Sequence, residues 1–284
     1  MKRVGVFINK DKDIGYFYTE MIIDKLLNKG FTPVVTPEVK AHVRSEAASE
    51  DNIFKHSDFI ICVGGDGTFL KAAREAYLYR VPVLGINRGS VGFLAEVETR
   101  DIQWAIDRMA EGNVKIQPRM VIQARVVRDG ETIFNDIAIN DAVVSRIALS
   151  RILNLKVSLD DKYMDSFPGD GIIVATPTGS TGYSLSAGGP IVQPDVRLMV
   201  ISPICPHILY SRSYIASEDK AVRICIDDTG EISAMLTLDG QAGVTLLPGD
   251  LVEVRAAPGN VLFASVCNVN FYDVLRAKIH GKIE

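Results

Sequence analysis

Residues 59–71 read Phe59-Ile60-Ile61-Cys62-Val63-Gly64-Gly65-Asp66-Gly67-Thr68-Phe69-Leu70-Lys71. The apolar run that opens this segment is rich in β-branched residues and predicts a strand buried on both faces. The glycines end the strand at once, and the next residues, Thr68–Tyr79, place apolar side chains at helical spacing. The segment therefore predicts a strand, a tight glycine turn and a helix.

The glycine turn favours a bound phosphate, because glycine lets the backbone approach a ligand and the unpaired N–H groups at a helix start attract phosphate oxygens. Asp66 lies inside this turn, where its charge would repel a phosphate. A general base that takes a proton from an attacking hydroxyl would explain its position, as would a ligand to a metal ion or to a ribose hydroxyl. An aspartate that caps the helix is the structural alternative, and this segment alone leaves both open.

The composition predicts a globular protein, since the chain has 284 residues and 47% of them are hydrophobic. This length favours two domains. The net charge of −4 argues against a nucleic-acid or anionic-membrane surface. The four cysteines are far apart without a C-x-x-C pair, so we expect buried free thiols rather than disulfides or zinc ligands; they are Cys62, Cys205, Cys225 and Cys267.

The N-terminal apolar run stops at Asn9, which is too early for an export signal, and we interpret it as a first strand. No apolar run approaches the ~20 residues that span a bilayer. We therefore expect a cytoplasmic protein. A helix is predicted over Ile14–Leu27, with Ile14 and Phe17 on its apolar face. The polar segment 37–56 has weak periodicity, which suggests a loop with at most one short helix.

A second glycine-rich turn follows the predicted strand Val81–Asn87. In an open parallel sheet, ligands collect at the carboxyl ends of the strands. We therefore expect the turns at Gly64 and Gly89 to flank one crevice. A helix that carries Ile102 and Ile106 on one face then completes an α/β half.

From about residue 114 the apolar pattern changes to a period of two, which predicts antiparallel strands with one solvated face. A helix is predicted at the end, over Phe271–Lys278. The predicted strands of this half include residues 122–126, 153–159, 172–175, 197–202, 221–226, 233–238, 251–256 and 261–266.

The β-rich half contains an uncharged segment, Thr176–Pro190, that is dense in serine, threonine and glycine. Hydroxyl groups with one aromatic ring suit an adenine-and-ribose pocket, in which the base stacks on Tyr183 and hydroxyls bond its edge. A polar surface loop is the alternative, and the segment by itself does not decide between them.

Taken together, these segments resemble the NAD kinases, which phosphorylate the adenosine ribose 2′-hydroxyl of NAD to give NADP. A single Gly-Gly-Asp-Gly turn is shared with diacylglycerol kinases and phosphofructokinases, whereas the ordered set is specific and covers nearly the whole chain. The set consists of Gly64-Gly65-Asp66-Gly67-Thr68, Leu84–Gly89 with Gly92-Phe93-Leu94, Asn140-Asp141, Gly169-Asp170-Gly171, Thr176–Pro190, Pro203–His207 and Asp239-Gly240-Gln241.

The resemblance implies an α/β Rossmann-like N-terminal domain, residues 1–114, that holds the phosphate donor and is rejoined by residues 268–284. It implies a mostly antiparallel, β-sandwich-like C-terminal domain, residues 115–267, that binds NAD. The partners would be small-molecule substrates, with neither nucleic acid nor membrane, and the chains would form a homodimer or homotetramer.

The resemblance also implies roles for individual residues. Asp66 would be the general base, and ATP or inorganic polyphosphate would lie near Gly64, Gly65 and Gly67 with a divalent cation, Mg²⁺. The sequence identifies no ligands of that metal. The NAD site would contain Lys71, Asn140, Asp141, Arg151, Asp170, Thr181, Gly182, Tyr183, Ser184, Leu185, Ser186 and Gln241.

Without the resemblance, ordinary structural roles would be favoured for several of these side chains. Asn140-Asp141 would be a strand-end turn, and Lys71 and Arg151 would be solvated charges. Asp170 would be a turn carboxylate and Gln241 a hairpin side chain.

The chain departs from the family pattern at two places. Gly182 stands where alanine is more usual, and Ser213-Tyr214 stands where an Arg-Pro pair is usual. Two other functions stay open: a related kinase acting on a lipid such as diacylglycerol, and a non-catalytic NAD-binding regulator. A lipid kinase would need an apolar acceptor groove or a membrane-facing amphipathic segment, and neither is evident in the sequence. The sequence leaves undecided the preferred donor and the use of NADH.

Overall fold

The computed structural model describes residues 2–11, 13–87, 92–147, 152–226, 234–267 and 270–280. The chain divides into two compact units. Unit 1 contains Met1–Pro118 and Val261–Glu284, and unit 2 contains Arg119–Asn260. Each unit has a hydrophobic core of its own. None of the helices in the described ranges has the length and apolar character needed to cross a membrane.

The N-terminal part of unit 1 alternates strands and helices. In chain order these are β1 (Arg3–Ile8), α1 (Phe17–Asn28), β2 (Thr32–Val35), α2 (Pro37–Lys40), β3 (Glu46–Ala47), α3 (Glu50–Lys55), β4 (Phe59–Val63), α4 (Asp66–Tyr79), β5 (Val83–Asn87), β6 (Val97–Glu98) and α5 (Ile102–Ala110). Two 3₁₀ turns precede helices here, at Ile14–Tyr16 and Thr99–Asp101.

The following elements are mostly strands. They are β7 (Lys115–Arg128), β8 (Glu131–Ala138), β9 (Asp141–Arg146), β10 (Leu153–Leu159), β11 (Lys162–Gly169), β12 (Gly171–Ala175), a 3₁₀ turn (Thr178–Thr181), α6 (Tyr183–Ser186), β13 (Leu198–Ile204), β14 (Tyr214–Ser217), β15 (Val222–Ile226), β16 (Ala234–Leu238), β17 (Ala242–Leu246), β18 (Leu251–Ser265) and α7 (Phe271–His280).

Unit 1 is built on a parallel sheet with strand order β18-β5-β4-β1-β2-β3. The inner strand β4 is buried along most of its length, as its apolar sequence predicts. Parallel pairing puts the carboxyl ends of β4 and β5 at the same edge, because Val63 lies beside Ile86. The last residues of these two strands therefore lie side by side.

Helices cover the sheet of unit 1 with their apolar faces. Helix α1 contributes Ile22, Ile23 and Leu26 to the core, and α5 contributes residues that include Ile102 and Ile106. The buried face of α5 is the predicted one. Helix α4 buries Phe69 and three alanines, and the Phe69 ring meets the Phe263 ring edge-on at 4.7 Å between centroids.

The predicted start of the first helix is wrong. Ile14 is 78% exposed and Phe17 is 61% exposed, so neither belongs to the buried face. The helix begins at Phe17, after a turn in which Gly15 and Tyr16 both have positive φ. This turn rotates the preceding residues out of the helical register, so the apolar spacing on which the prediction relied does not continue through it.

Unit 2 is a sandwich of two β-sheets. One sheet has the antiparallel order β14-β13-β12-β9-β16-β17. The other pairs β11, β10, β15 and β18 antiparallel, with β7 beside β18 and β8 beside β7. Inward-facing residues of both sheets share one core, which explains the alternation of apolar and polar residues.

The fold class is therefore confirmed: an α/β Rossmann-like N-terminal part and a mostly antiparallel, β-sandwich-like C-terminal part. Two details differ from the prediction. The strands expected at 251–256 and 261–266 form the single strand β18, and segment 37–56 contains α2, β3 and α3. None of the four cysteines is in a disulfide, but only Cys62 is buried; Cys205, which follows β13 in a positive-φ turn, is exposed.

Candidate functional site

The glycine turn of unit 1 joins β4 to α4 within two residues, Gly64 and Gly65. A side chain at position 64 would meet Thr68, whose Cβ and Oγ1 would lie 2.6 Å from an added Cβ. Only glycine fits this close approach without displacing Thr68. The Thr68 hydroxyl in turn accepts a hydrogen bond from Asn9 Nδ2 at 3.3 Å.

Asp66 is the first residue of α4, so its negative charge lies at the positive end of the helix dipole. Its carboxylate accepts hydrogen bonds from the backbone N–H of Phe93 at 3.3 Å and of Leu94 and Ala95 at 3.4 Å each. A Cβ added at Gly92 would lie 2.1 Å from Asp66 Oδ1. The helix-cap alternative is therefore wrong: Gly65 is the N-cap residue, and the carboxylate bonds to the segment after β5 instead.

The described residues include one side of the predicted crevice, at Asp66. Asp66 lies against Gly92–Ala95, which belong to the segment that follows β5. Gly89 lies outside the described residues. Lys71 projects from the exposed side of α4, and its Nζ is 5.6 Å from the centroid of the Phe7 ring.

Unit 2 contains an open cleft with a volume of about 350 Å³. Three of the predicted site residues line it, namely Asn140, Asp141 and Tyr183. The lining is completed by five residues that the sequence did not single out for the site: Val143, Ser145, Thr237, Asp239 and Gly240. The cleft thus combines polar groups with one large aromatic ring, and the Tyr183 side chain is half exposed.

The turn that carries Asn140 and Asp141 is held through its backbone. Asp239 accepts hydrogen bonds from the N–H groups of Ile139, Asn140 and Asp141. Thr176 donates to the carbonyls of the same turn, through its Oγ1 to Ile139 and through its N–H to Asn140. The two side chains of the Asn140-Asp141 pair are thereby presented on a fixed main chain.

Asp141 is an unusual carboxyl group because it is only 6% exposed. Burial, and after it the charge of Asp239, raises its pKa from 3.8 to about 7. A carboxyl with this pKa is protonated in a large fraction of molecules near neutral pH, and it can then donate a hydrogen bond as well as accept one. Asn140 Oδ1 is buried and has no hydrogen-bond partner among the described residues.

The segment Thr176–Pro190 begins as a buried 3₁₀ turn directly after β12. Gly179 packs so closely on the Asn140 carbonyl that an added Cβ would lie 2.0 Å from its oxygen. At Gly182 there is more room, since an added Cβ would lie 3.9 Å from both Asn140 Nδ2 and Asp141 Oδ2. The methyl group that the family pattern places there would reach both polar side chains of the turn.

The other predicted residues do not line this cleft. Asp170 forms an ion pair with Arg146 at 2.7 Å, and Gln241 is exposed in the β16–β17 hairpin. Ser184 is buried and its hydroxyl lies 3.2 Å from that of Ser202. Thr181 and Gly182 are half-buried, and Leu185 and Ser186 are exposed. Arg151 lies outside the described residues.

The most informative residue that the sequence reasoning missed is Asp239. In the sequence, the Asp239-Gly240 pair is only a turn signal and part of a family motif. The structure contains this turn, with positive φ at both residues, but a turn signal does not indicate that the aspartate side chain bonds to the backbone at the start of β9.

Comparison with known proteins identifies the family. The ATP-NAD kinase N-terminal domain matches residues 4–114, and the ATP-NAD kinase C-terminal domain matches residues 139–266. The NAD kinase of Acetivibrio thermocellus is 43% identical, over 100% of this chain and 99% of that protein. The NAD kinase of Caldanaerobacter subterraneus subsp. tengcongensis is 40% identical, over 98% of this chain and 99% of that protein.

Two solved structures share the fold. Yeast NADH kinase complexed with NADH has a TM-score of 0.88 at 23% identity, over 99% of this chain and 88% of that one. An NAD kinase from Archaeoglobus fulgidus in complex with ATP has a TM-score of 0.78 at 23% identity, over 99% of both chains. With domain matches in both halves and relatives of equal length at 40% identity or more, this chain belongs to the NAD kinase family.

Proposed function

We propose that this chain transfers a phosphoryl group to the 2′-hydroxyl of the adenosine ribose of NAD and so produces NADP. The observation that carries the proposal is the 43% identity, end to end, with a protein named NAD kinase. The lipid-kinase alternative loses its support, because the family match extends through the β-rich half as well as through the shared glycine turn.

Asp66 acts as the general base in this proposal. As the 2′-oxygen attacks the terminal phosphorus of the donor, its proton passes to the Asp66 carboxylate, and the bond from that phosphorus to the leaving oxygen breaks. Two features support the role: Asp66 lies beside the glycine turn at the start of α4, and backbone N–H groups of Phe93–Ala95 orient its carboxylate. A positioned general base contributes roughly 10²–10⁴-fold to such a reaction.

The donor phosphates bind at Gly64, Gly65 and Gly67, at the positive end of the α4 helix dipole. ATP is the expected donor, with inorganic polyphosphate as a second possibility to be tested. The Archaeoglobus fulgidus structure contains ATP, which supports ATP as the donor for this fold. We assign the donor-binding role to the α/β part of the chain.

A divalent cation, expected to be Mg²⁺, fits this donor site. The described residues contain no group of three or more His, Cys, Asp or Glu side chains able to hold a metal on their own. Mg²⁺ commonly uses one or two carboxylates together with substrate phosphates and water, so it needs no such group. Asp66 offers one carboxylate beside the phosphate turn. The cation would neutralise charge on the transferred phosphoryl group.

NAD binds in the cleft of unit 2. The exposed Tyr183 ring offers a surface on which adenine can stack, and Asn140 and Asp141 offer polar groups to the ribose and base. The remaining assignments, which rest on the family pattern, stay predictions: Lys71, Arg151, Asp170, Thr181, Gly182, Ser184, Leu185, Ser186 and Gln241. A cytoplasmic location and assembly into a homodimer or homotetramer also stay predictions.

An end-point assay tests the proposal. Purified protein is incubated with NAD and Mg²⁺, with ATP or polyphosphate in separate reactions, and NADP is read out with an NADP-specific dehydrogenase. NADP in either reaction supports the proposal and identifies the donor. No NADP from either donor, with NAD still bound in calorimetry, would favour the non-catalytic regulator.

A further inference from the structure

One carboxylate holds three consecutive backbone amides at the edge of the cleft. Asp239 Oδ1 accepts from Asn140 N–H at 2.7 Å, from Ile139 N–H at 3.1 Å and from Asp141 N–H at 3.2 Å. Its second oxygen, Oδ2, accepts from Ile139 N–H at 3.0 Å. The backbone of Asp239 also donates to the Asp141 carbonyl at 3.0 Å, so the contact is reciprocal.

Thr176 holds the same turn through hydrogen bonds to the carbonyl groups of the turn. Thr176 Oγ1 donates to the Ile139 carbonyl at 2.6 Å, and Thr176 N–H donates to the Asn140 carbonyl at 2.8 Å. Thr176 is fully buried, so these bonds are shielded from competing water. Each N–H and carbonyl group of residues 139–141 therefore has a hydrogen-bond partner within the protein, and the side chains of Asn140 and Asp141 face the cleft.

We infer that Asp239 is a positioning residue, whose carboxylate fixes the Ile139–Asp141 turn so that Asn140 and Asp141 meet the nucleotide in one orientation. The inference rests on the proposed function, since it takes the cleft to be the NAD site. Asp239 itself is assigned no part in the chemical step.

The residue type suits this task. Oδ1 accepts from all three N–H groups and Oδ2 also accepts from Ile139 N–H, whereas an asparagine would lose the negative charge and would place an NH₂ donor where one of the two acceptor oxygens lies. Aspartate also tolerates the left-handed backbone observed here, with φ of 52°. The Asp239 charge has a second effect, because it contributes to the raised pKa of Asp141 and so helps to keep a proton on that side chain.

The test compares Asp239→Asn with Asp250→Asn. Asp250 is a matched control: it is a buried aspartate of the same unit, in the β17–β18 turn, where it accepts from Leu247 N–H and pairs with Arg128 at 2.7 Å. Asp250 is not among the residues that line the cleft. Three quantities are measured for each variant: the Kd for NAD by calorimetry, kcat at saturating NAD, and amide hydrogen exchange at residues 139–141.

In Asp239→Asn, NAD binding is expected to weaken about tenfold, which corresponds to the loss of one or two charge-assisted hydrogen bonds. The kcat value is expected to stay within about threefold, because a ground-state positioning group acts mainly on binding. Exchange at 139–141 should accelerate. Asp250→Asn should lower the Tm while leaving Kd and the exchange of these three amides unchanged.

Two results would overturn the inference. One is faster exchange at 139–141 with an unchanged Kd, which would make Asp239 a purely structural residue. The other is a large fall in kcat with an unchanged Kd, which would place Asp239 in the chemical step. Failure of the unsubstituted protein to bind NAD would overturn the proposed function first, and with it the part of the inference that concerns the nucleotide; the exchange measurement would still report whether Asp239 holds the turn.

Discussion

Two aspartates of this chain, Asp66 in unit 1 and Asp141 in unit 2, have opposite surroundings. Asp66 is partly exposed and its carboxylate meets three backbone N–H donors. Asp141 is buried, and the backbone N–H groups of the turn that carries it donate to the carboxylate of Asp239 instead. The main chain thus supplies donors to one carboxylate and directs them away from the other. In Asp141, burial and the charge of Asp239 favour the protonated form of the carboxyl group.

The largest expected effect comes from Asp66→Asn. The variant keeps the size of the side chain but cannot accept the proton of the 2′-hydroxyl, so turnover should fall about 10²–10⁴-fold. NAD affinity should stay within about twofold, because the cleft of unit 2 is untouched. Turnover by NADP formation and Kd by calorimetry check this.

An appropriate control for that variant is Asp58→Asn, which alters an exposed carboxylate of unit 1 that accepts from Arg3 N–H. It should keep near-normal turnover. Near-normal turnover of Asp66→Asn itself would remove the contrast between the two aspartates, since Asp66 would then be no more than a structural contact.

Gly92→Ala tests whether the orientation of Asp66 matters. The new methyl would lie 2.1 Å from Asp66 Oδ1, so the carboxylate must move. A displacement of about 1 Å in a reacting group can cost about 10²-fold in rate, and we expect a loss of that order in kcat. If Gly92→Ala lowers kcat through Asp66, then adding Gly92→Ala to Asp66→Ala should lower kcat almost no further. A full additional loss in the double variant would contradict this explanation.

Asp141 should make stability depend on pH. The folded protein holds this proton up to about pH 7, whereas the unfolded chain releases it near 3.8. The folded state therefore binds more protons in this window, and the free energy of unfolding falls as pH rises. Asp141→Asn removes the titration, so its stability relative to the unsubstituted protein should increase by on the order of 2 kcal/mol between pH 5.5 and 7.5.

Urea unfolding at several pH values measures that difference. The exposed hairpin residue Asp129 provides the control, because Asp129→Asn should give a difference that does not change over this range. A flat difference for Asp141→Asn as well would mean that Asp141 is ionised in the folded protein and that the two aspartates are alike.

The smallest effect is expected for Gly182→Ala. An added Cβ meets nothing closer than the Gly179 carbonyl oxygen at 3.3 Å, so stability should change by less than about 0.5 kcal/mol. The KM for NAD should stay within about twofold. Gly179→Ala is the opposite case, since its Cβ would lie 2.0 Å from the Asn140 oxygen, and it should raise KM strongly. Equal effects of the two variants would mean that the turn is not held as closely as described.

The sequence predicted best where a single local rule determines the structure. The run before Gly64 is apolar throughout and proved to be a central parallel strand. The spacing of Ile102 and Ile106 gave the buried face of α5. Segment 37–56 was not predicted because its elements are short; α3 has one buried pair, Ile53 and Phe54, and a Ser49 cap, which is too little for a periodic signal.

The candidate site was predicted less completely than the fold, because it depends on contacts between residues that are far apart in the sequence. Tyr183 and the Asn140-Asp141 pair can be found from composition and from family motifs. Asp239 acts on residues 98 to 100 positions away, and a one-dimensional pattern does not contain that contact. The wrong placement of Ile14 and Phe17 in the core has a local cause. A positive-φ turn separates Ile14 from the helix, and Phe17, the first residue of α1, lies off the buried face formed by Thr19, Ile22, Ile23 and Leu26.

Strand β18 has a consequence for synthesis on the ribosome. Its first residues pair with β15 in unit 2, and Phe263 near its end pairs with Val83 of β5 in unit 1. Val83 of β5 therefore lacks this pairing partner until residue 263 has left the ribosomal exit tunnel, long after the other strands of the parallel sheet have been synthesised. An uncovered strand edge of this kind invites pairing with other chains. Nascent chains that stop within unit 2 would thus be the form of this protein most in need of a chaperone.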